Sequence, residues 1–190
     1  MTRAVRAELH PTLPLQRLKE IAAEEVRAGL EQILEVLRSE IVARAPVGAT
    51  GALSRSIEAS MSGNGVDVTG IVHSGLPYAA AVEEGRAPGT PPPWEPIALW
   101  VRETPAGRRI TMAVREAYMR RLRHGRTQRA ALSFERDAVY LVRRKIAGRG
   151  TQGARMFAEG LRASHGRLVR LWNDTALRIA ERWDEEESPW

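Results

Sequence analysis

From Leu15 onward the apolar positions fall at Leu15, Leu18, Ala22, Val26, Leu30, Ile33, Leu37 and Ile41. Steps of three and four draw one stripe down a helix of about thirty residues. Its other faces carry Glu20, Glu24, Arg27, Glu31, Glu35 and Arg38, Thr12 is placed to cap its start, and Pro46 ends it by restricting Ala45. So long a stripe requires a partner surface, either a sheet of its own chain or a neighbouring subunit.

The period then changes. A Gly-rich loop over residues 45–53 leads to Ile57, Ala59 and Met61 alternating with Glu58 and Ser60, and Val66, Val68 and Val72 follow Gly63-Asn64-Gly65. Alternation around an Asn-Gly pair predicts a hairpin with strands at 55–62 and 66–73. Residues 78–84 fit a short strand or a helical turn equally well. Residues 86–96, rich in Pro, form a stiff extended connector that packs Trp94. Helical spacing returns from Pro96 to Val101, where Pro105-Ala106-Gly107 breaks it, and again over Ile110–Leu122 and from Ser133 to Ile146. The last helix, 155–184, sets Phe157, Leu161, Leu168, Trp172, Ile179 and Trp183 on one seam with His165 beside them. The fold class is α+β: a long N-terminal helix packed on a small antiparallel sheet, then an extended helical C-terminal half.

At 190 residues the chain suits a single domain spanning 1–190, burying roughly 70% of its unfolded surface. Within it, 1–103 holds the long helix, sheet and Pro-rich loop, 104–132 is an Arg-rich segment, and 133–190 is helical. Charge is unevenly spread. Residues 1–101 hold 9 basic and 12 acidic groups, residues 102–150 hold 14 and 4, and the last forty hold 6 and 7. The formal net charge of +6 therefore arises in one belt, opposed by the acidic run Asp184 to Glu187. Belt and tail could satisfy each other between neighbouring copies.

Chemistry is sparse. With no cysteine there are no disulfides or thiolate sites, and His10, His73, His124 and His165 have no metal-binding spacing, so neither a metal nor a cofactor is expected. The first residues are charged at Arg3, Arg6 and Glu8, unlike an export signal, and no stretch is long enough to span a bilayer. A cytoplasmic origin is expected. Gly148 to Gly153 reads GxGxxG but comes after a helix, where a dinucleotide site needs a preceding strand. No Walker loop or serine-hydrolase elbow exists, and adjacent Glu83 and Glu84 on a strand would point to opposite faces. The chain is not expected to be an enzyme. Nucleic-acid binding is the competing reading. Arg115, Arg120, Arg121, Arg123, Arg126 and Arg129 could face phosphates without reading sequence, although few aromatics are interleaved and no recognition signature accompanies them.

Taken in order, four segments carry a resemblance. Ala43 to Ile57 is similar to the "ARAPVxTGxLRxSI" segment of the neck proteins of tailed phages. Tyr78 to Gly85 resembles "YAxxVExG", Pro92-Pro93 with Trp100 resembles "PP…W", and Ala138 to Phe157, with Arg143-Arg-Lys-Ile146 and Gly150-Thr-Gln-Gly153, resembles the "A…aRkIxxxGTxG…F" ending. Together these cover about two thirds of the chain, with Gly48-Ala49, Glu84 and Arg86 departing from the pattern. The chain thus resembles the siphophage neck, or tail-completion (head–tail joining), proteins. The resemblance implies a non-catalytic virion protein at the junction of portal and tail, assembled in the host cytoplasm as a six- or twelve-fold homo-oligomeric ring. Its partners would be connector or adaptor, stopper and tail-terminator proteins, with genomic DNA passing through. Thr50, Gly51 and Leu53 would be the first ring contacts, joined by Arg55, Glu83, Glu84, Gly85 and Trp94.

Overall fold

The computed structural model describes residues 15–124 and 133–187. Thr12, the expected helix cap, lies outside them. In chain order the elements are α1 (Leu15–Arg44), α2 (Ala52–Arg55), β1 (Ile57–Asn64), β2 (Asp67–Ser74), α3 (Ala79–Glu84), β3 (Gly85–Arg86), α4 (Trp94–Glu103), α5 (Pro105–Arg123), α6 (Phe134–Arg149), β4 (Thr151–Gln152) and α7 (Met156–Glu187). The fold is α+β, with two two-stranded sheets, β1-β2 and β3-β4. Two compact units emerge. Among the described residues one draws on 15–40, 58–73 and 160–187, the other on 41–57, 74–124 and 133–159.

In the first unit the long helix meets α7 in antiparallel fashion. Arg17 pairs with Glu186 at 2.6 Å, and Glu25 takes Arg178 and Arg182 at 2.9 Å each. Partners on α7 thus move back toward its start as α1 advances. Gly29 marks the closest approach, because a Cβ there would overlap the Oγ1 of Thr175. Thr175 is buried, and its hydroxyl donates to the Leu171 carbonyl at 2.8 Å. The hairpin covers another part of α1. A side chain at Gly70 would run into the Leu34 methyls at 2.8 Å, and Arg27 reaches the Gly63 carbonyl.

Two partners on α1 explain how the buried set departs from a single stripe. Ile21 and Leu34, outside the expected stripe, are buried, whereas Leu15 is 74% exposed. Met156, at the start of α7, is buried in the second unit; in the part of α7 that belongs to the first unit the buried positions are Gly160, Ser164 and Thr175, small residues that permit close helix approach. The expected apolar seam is split: Phe157, Leu168, Ile179 and Trp183 are half-buried, whereas Leu161 is 50% and Trp172 48% exposed, and His165 is exposed as well. In the hairpin the turn residues are Gly65 and Val66, one place later than the Asn-Gly pair, and Val68, Gly70 and Val72 face inward.

The second unit is built on α4, α5 and α6, whose core is Val101, Ala138 and Val139 with Trp94, Ile97, Trp100, Ile110, Val114 and Val142 packed around it. Helix α4 starts at Trp94 rather than Pro96. Pro105-Ala106-Gly107 begins a helix as much as it ends one. Thr104 Oγ1 donates to the Trp100 carbonyl at 2.7 Å and accepts the Gly107 N–H at 3.0 Å, so one side chain closes α4 and caps α5. Ser133 caps α6 through the Arg136 N–H. Residues 79–84, left open between strand and helix, are the short helix α3, so Glu83 and Glu84 are not strand neighbours.

The α1/α7 contact generates two predictions. Gly29→Ala forces a methyl group against the buried Thr175 and is expected to destabilise the protein by about 1–3 kcal/mol, read as a lower thermal midpoint. Thr175→Ala in the same chain should restore part of the loss. The hydrogen bonds from Arg178 and Arg182 hold the Glu25 carboxyl below its ordinary value of 4.5. A depressed folded value adds stability above the unfolded one, and that stability is lost as pH falls through the folded value. Melting curves of wild type and Glu25→Gln should therefore differ at neutral pH and converge well below pH 4.5.

Candidate functional site

The loop 45–57 is pinned from inside and open outside. Leu53 and Ile57 are buried at 5% and 1% exposure, while Val47 stands 84% exposed. Gly51 adopts φ 64, a left-handed conformation that suits glycine, and opens the single turn α2. The Thr50 hydroxyl accepts the Ala52 N–H at 3.3 Å, and the Ser56 and Ser74 hydroxyls meet at 2.7 Å, tying the loop to the end of β2. Of the predicted contacts here, Thr50 and Arg55 point outward, and Leu53 serves as the anchor beneath them.

Glu83, Glu84 and Gly85 belong to a joint with the segment leading into α7. Strand β3 pairs antiparallel with β4, Gly85 opposite Gln152 and Arg86 opposite Thr151. The Glu83 carboxylate accepts the N–H groups of Phe157 at 3.0 Å and Ala158 at 3.1 Å. These are donors that the first turn of α7 leaves without helical partners, and a negative charge there also suits the helix dipole. The Glu83 carbonyl accepts from Arg155 at 3.0 Å and the Val82 carbonyl from Ala154 at 2.7 Å. These bonds hold Arg155 at φ 53, the only positive φ at a non-glycine among the described residues. Glycines are required where the strands touch. A Cβ at Gly150 would overlap the Arg86 carbonyl, and one at Gly153 the Glu83 carbonyl. Glu84 is exposed.

Trp94 lies against the α4–α6 core, with the Arg143 guanidinium 5.3 Å from its ring centroid. Arg143 Nε also donates to the Pro92 carbonyl at 2.7 Å. The Pro-rich connector is thus held by one arginine of α6 through a cation–π contact and a hydrogen bond. The structure brings the residues of separate sequence motifs together in pairs: Glu83 and Gly85 with Gly150–Gly153, and Pro92 and Trp94 with Arg143. Sequence reasoning singled out neither Arg143 nor Gly153 as a site residue, although both stood within a recognised motif.

The candidate DNA-facing arginines of α5 do not share one face. Arg115 and Arg123 fall on the side of Met112, Met119 and Leu122, three exposed apolar side chains, while Arg120 and Arg121 turn elsewhere. Arg126 and Arg129 lie outside the described residues. Between α5 and α6 runs a groove of about 560 Å³, lined by Ile110, Ala113, Val114, Ala117, Tyr118, Tyr140 and Leu141, with Arg121 and Asp137 at its polar positions. Among the described residues no group of three His, Asp or Glu is placed to hold a metal ion, and no helix is long and apolar enough to cross a membrane.

Residues 14–85 match the model of the HK97-gp10-like family, described as "Bacteriophage HK97-gp10, putative tail-component". The matched region covers less than half the chain but contains both the 43–57 and the 78–85 motifs, and the resemblance to siphophage neck and tail-completion proteins holds. No curated protein and no solved structure matches the chain.

The joint predicts that Glu83→Ala lowers stability by about 1–2 kcal/mol, with Glu83→Gln losing less because its carbonyl still accepts one N–H. Glu84→Ala, on an exposed neighbour, should stay within about 0.5 kcal/mol of wild type. Denaturant titration of the three variants checks the order.

Proposed function

We propose that this structural tail component acts at the neck of the virion, as a ring of copies joining the capsid portal or connector to the tail. The observation that carries the reading is the family match over residues 14–85, which contains a loop built as a presenting surface. Leu53 and Ile57 are buried beneath it, while Val47, Thr50 and Arg55 face out. A loop anchored in this way offers side chains to a neighbour at little further ordering cost. Gly51, Gly85 and Trp94 then act by shaping the presented loops, and Glu83 by holding the start of α7.

The exposed apolar side chains support an assembling protein. Val47, Met112, Tyr140, Leu161, Trp172 and Leu177 are each 48% or more exposed, more than an isolated domain gains from. Contacts repeated around a symmetry axis would cover them. The adaptor, stopper and tail terminator are the proposed neighbours, and no bond-making chemistry is part of the role.

A phage genome with this reading frame disabled should yield filled heads and free tails by electron microscopy. Supplying wild-type protein in trans should restore joined particles. Val47→Asp, on a side chain 84% exposed, should leave the melting curve unchanged and cut joining by about tenfold or more. Joined, infectious particles from the disabled genome would overturn the reading.

A further inference from the structure

We infer that the α5/α6 groove of one copy receives the outward face of α7, centred on Leu177, from a second copy. The inference rests on the ring reading above and names a contact that would build the ring.

The donor face is defined by what α7 has already committed. Arg178 and Arg182 turn to Glu24 and Glu25, and Glu186 pairs with Arg17. What remains outward is Leu177, 61% exposed, with Asp174 three residues before it and Glu181 and Asp184 four and seven after, all exposed. Spacings of three, four and seven put these four side chains on one helical face. Arg170, seven residues before Leu177 and exposed, lies on the same face at its N-terminal end, so the result is a single apolar knob with three carboxylates around it and one arginine at the edge.

The acceptor is its complement. The groove floor is apolar, and Tyr140 and Leu141 remain 56% and 47% exposed along its wall. Its rim is basic in balance: Arg121 lines it, and Arg144 and Lys145 come one helical turn after Tyr140 and Leu141, all three exposed, against Asp137, the one carboxylate that lines the groove. Glu116 is the only acidic residue against six arginines in α5. No carboxylate among the described residues pairs with Arg120 or Arg121. Apolar floor and basic rim therefore match apolar knob and acidic surround in both properties at once. Because knob and groove are different surfaces of the chain, the contact is head to tail, the arrangement that closes into rings or runs on as filaments. Phosphate would match the rim, but it leaves the floor and the apolar knob without a partner.

Sedimentation velocity of the purified full chain tests the contact. Wild type is expected to self-associate, more weakly as salt rises. Leu177→Asp, Arg121→Glu with Arg144→Glu, and Glu181→Arg with Asp184→Arg should each weaken association by about tenfold or more without moving the thermal midpoint measured at dilutions where wild type is monomeric, since every position is exposed. A chain carrying both charge reversals together should regain assembly. Wild-type-like assembly of all variants would overturn the contact and leave the ring reading standing. Wild type that stays monomeric alone and with tail or connector protein would overturn both. Normal assembly of the arginine variant, combined with loss of salt-sensitive duplex DNA binding, would assign the rim to phosphate and also overturn the contact.

Discussion

The tight constraint in this protein is the backbone contact between residues 82–86 and 150–158. Glu83 reaches across a sequence separation of 74 residues to the first turn of α7, and the two chain segments come so close that only glycine fits at 85, 150 and 153. Everything between, the Pro-rich connector and helices α4, α5 and α6, is a loop closed by this joint. Closing so long a loop has an entropic cost that hydrogen bonds alone offset poorly. The buried cluster around Val101, Ala138 and Val139 supplies the apolar burial that makes closure favourable.

The other unit solves a different problem with the same device. Two long helices lie side by side, and they approach closely where Gly29 meets Thr175. Specificity comes from ion pairs placed along the antiparallel path, Arg17 with Glu186 and Glu25 with two arginines. Such partly exposed pairs add little stability individually, but they suit one register and one direction. Their consequence for function is indirect. By drawing Arg178 and Arg182 inward they leave the outward side of the last turns of α7 acidic around the exposed Leu177.

Much of this is legible in the order of residues. The long first helix, the hairpin, the start of a helix near Ser133 and the helical C-terminal half arise from periodicity and turn chemistry, both of which are local. The 43–57 motif points to a phage tail component without help from the coordinates. Elsewhere local reading fails for identifiable reasons. Residues 79–84 carry no decisive period, and their helix is fixed by the pairing of β3 with β4 at its C-terminal end. On α7 periodicity places Leu161 and Trp172 on the buried seam with Phe157, Leu168, Ile179 and Trp183, because it equates hydrophobicity with burial, but only the last four are half-buried. The helix instead buries Gly160, Ser164 and Thr175, since close packing rewards small size.

What the sequence determined by itself is the long helices and the hairpin, the uneven charge and the family resemblance, because each depends on neighbours within a few residues along the chain. Only the tertiary structure decided which motifs meet and which faces remain open. Glycine at 153 has meaning only once the Glu83 carbonyl is seen against it, and Leu177 becomes a candidate contact only once the surrounding arginines have been turned inward. Those outcomes depend on distances through space between residues far apart in sequence, which no local pattern encodes.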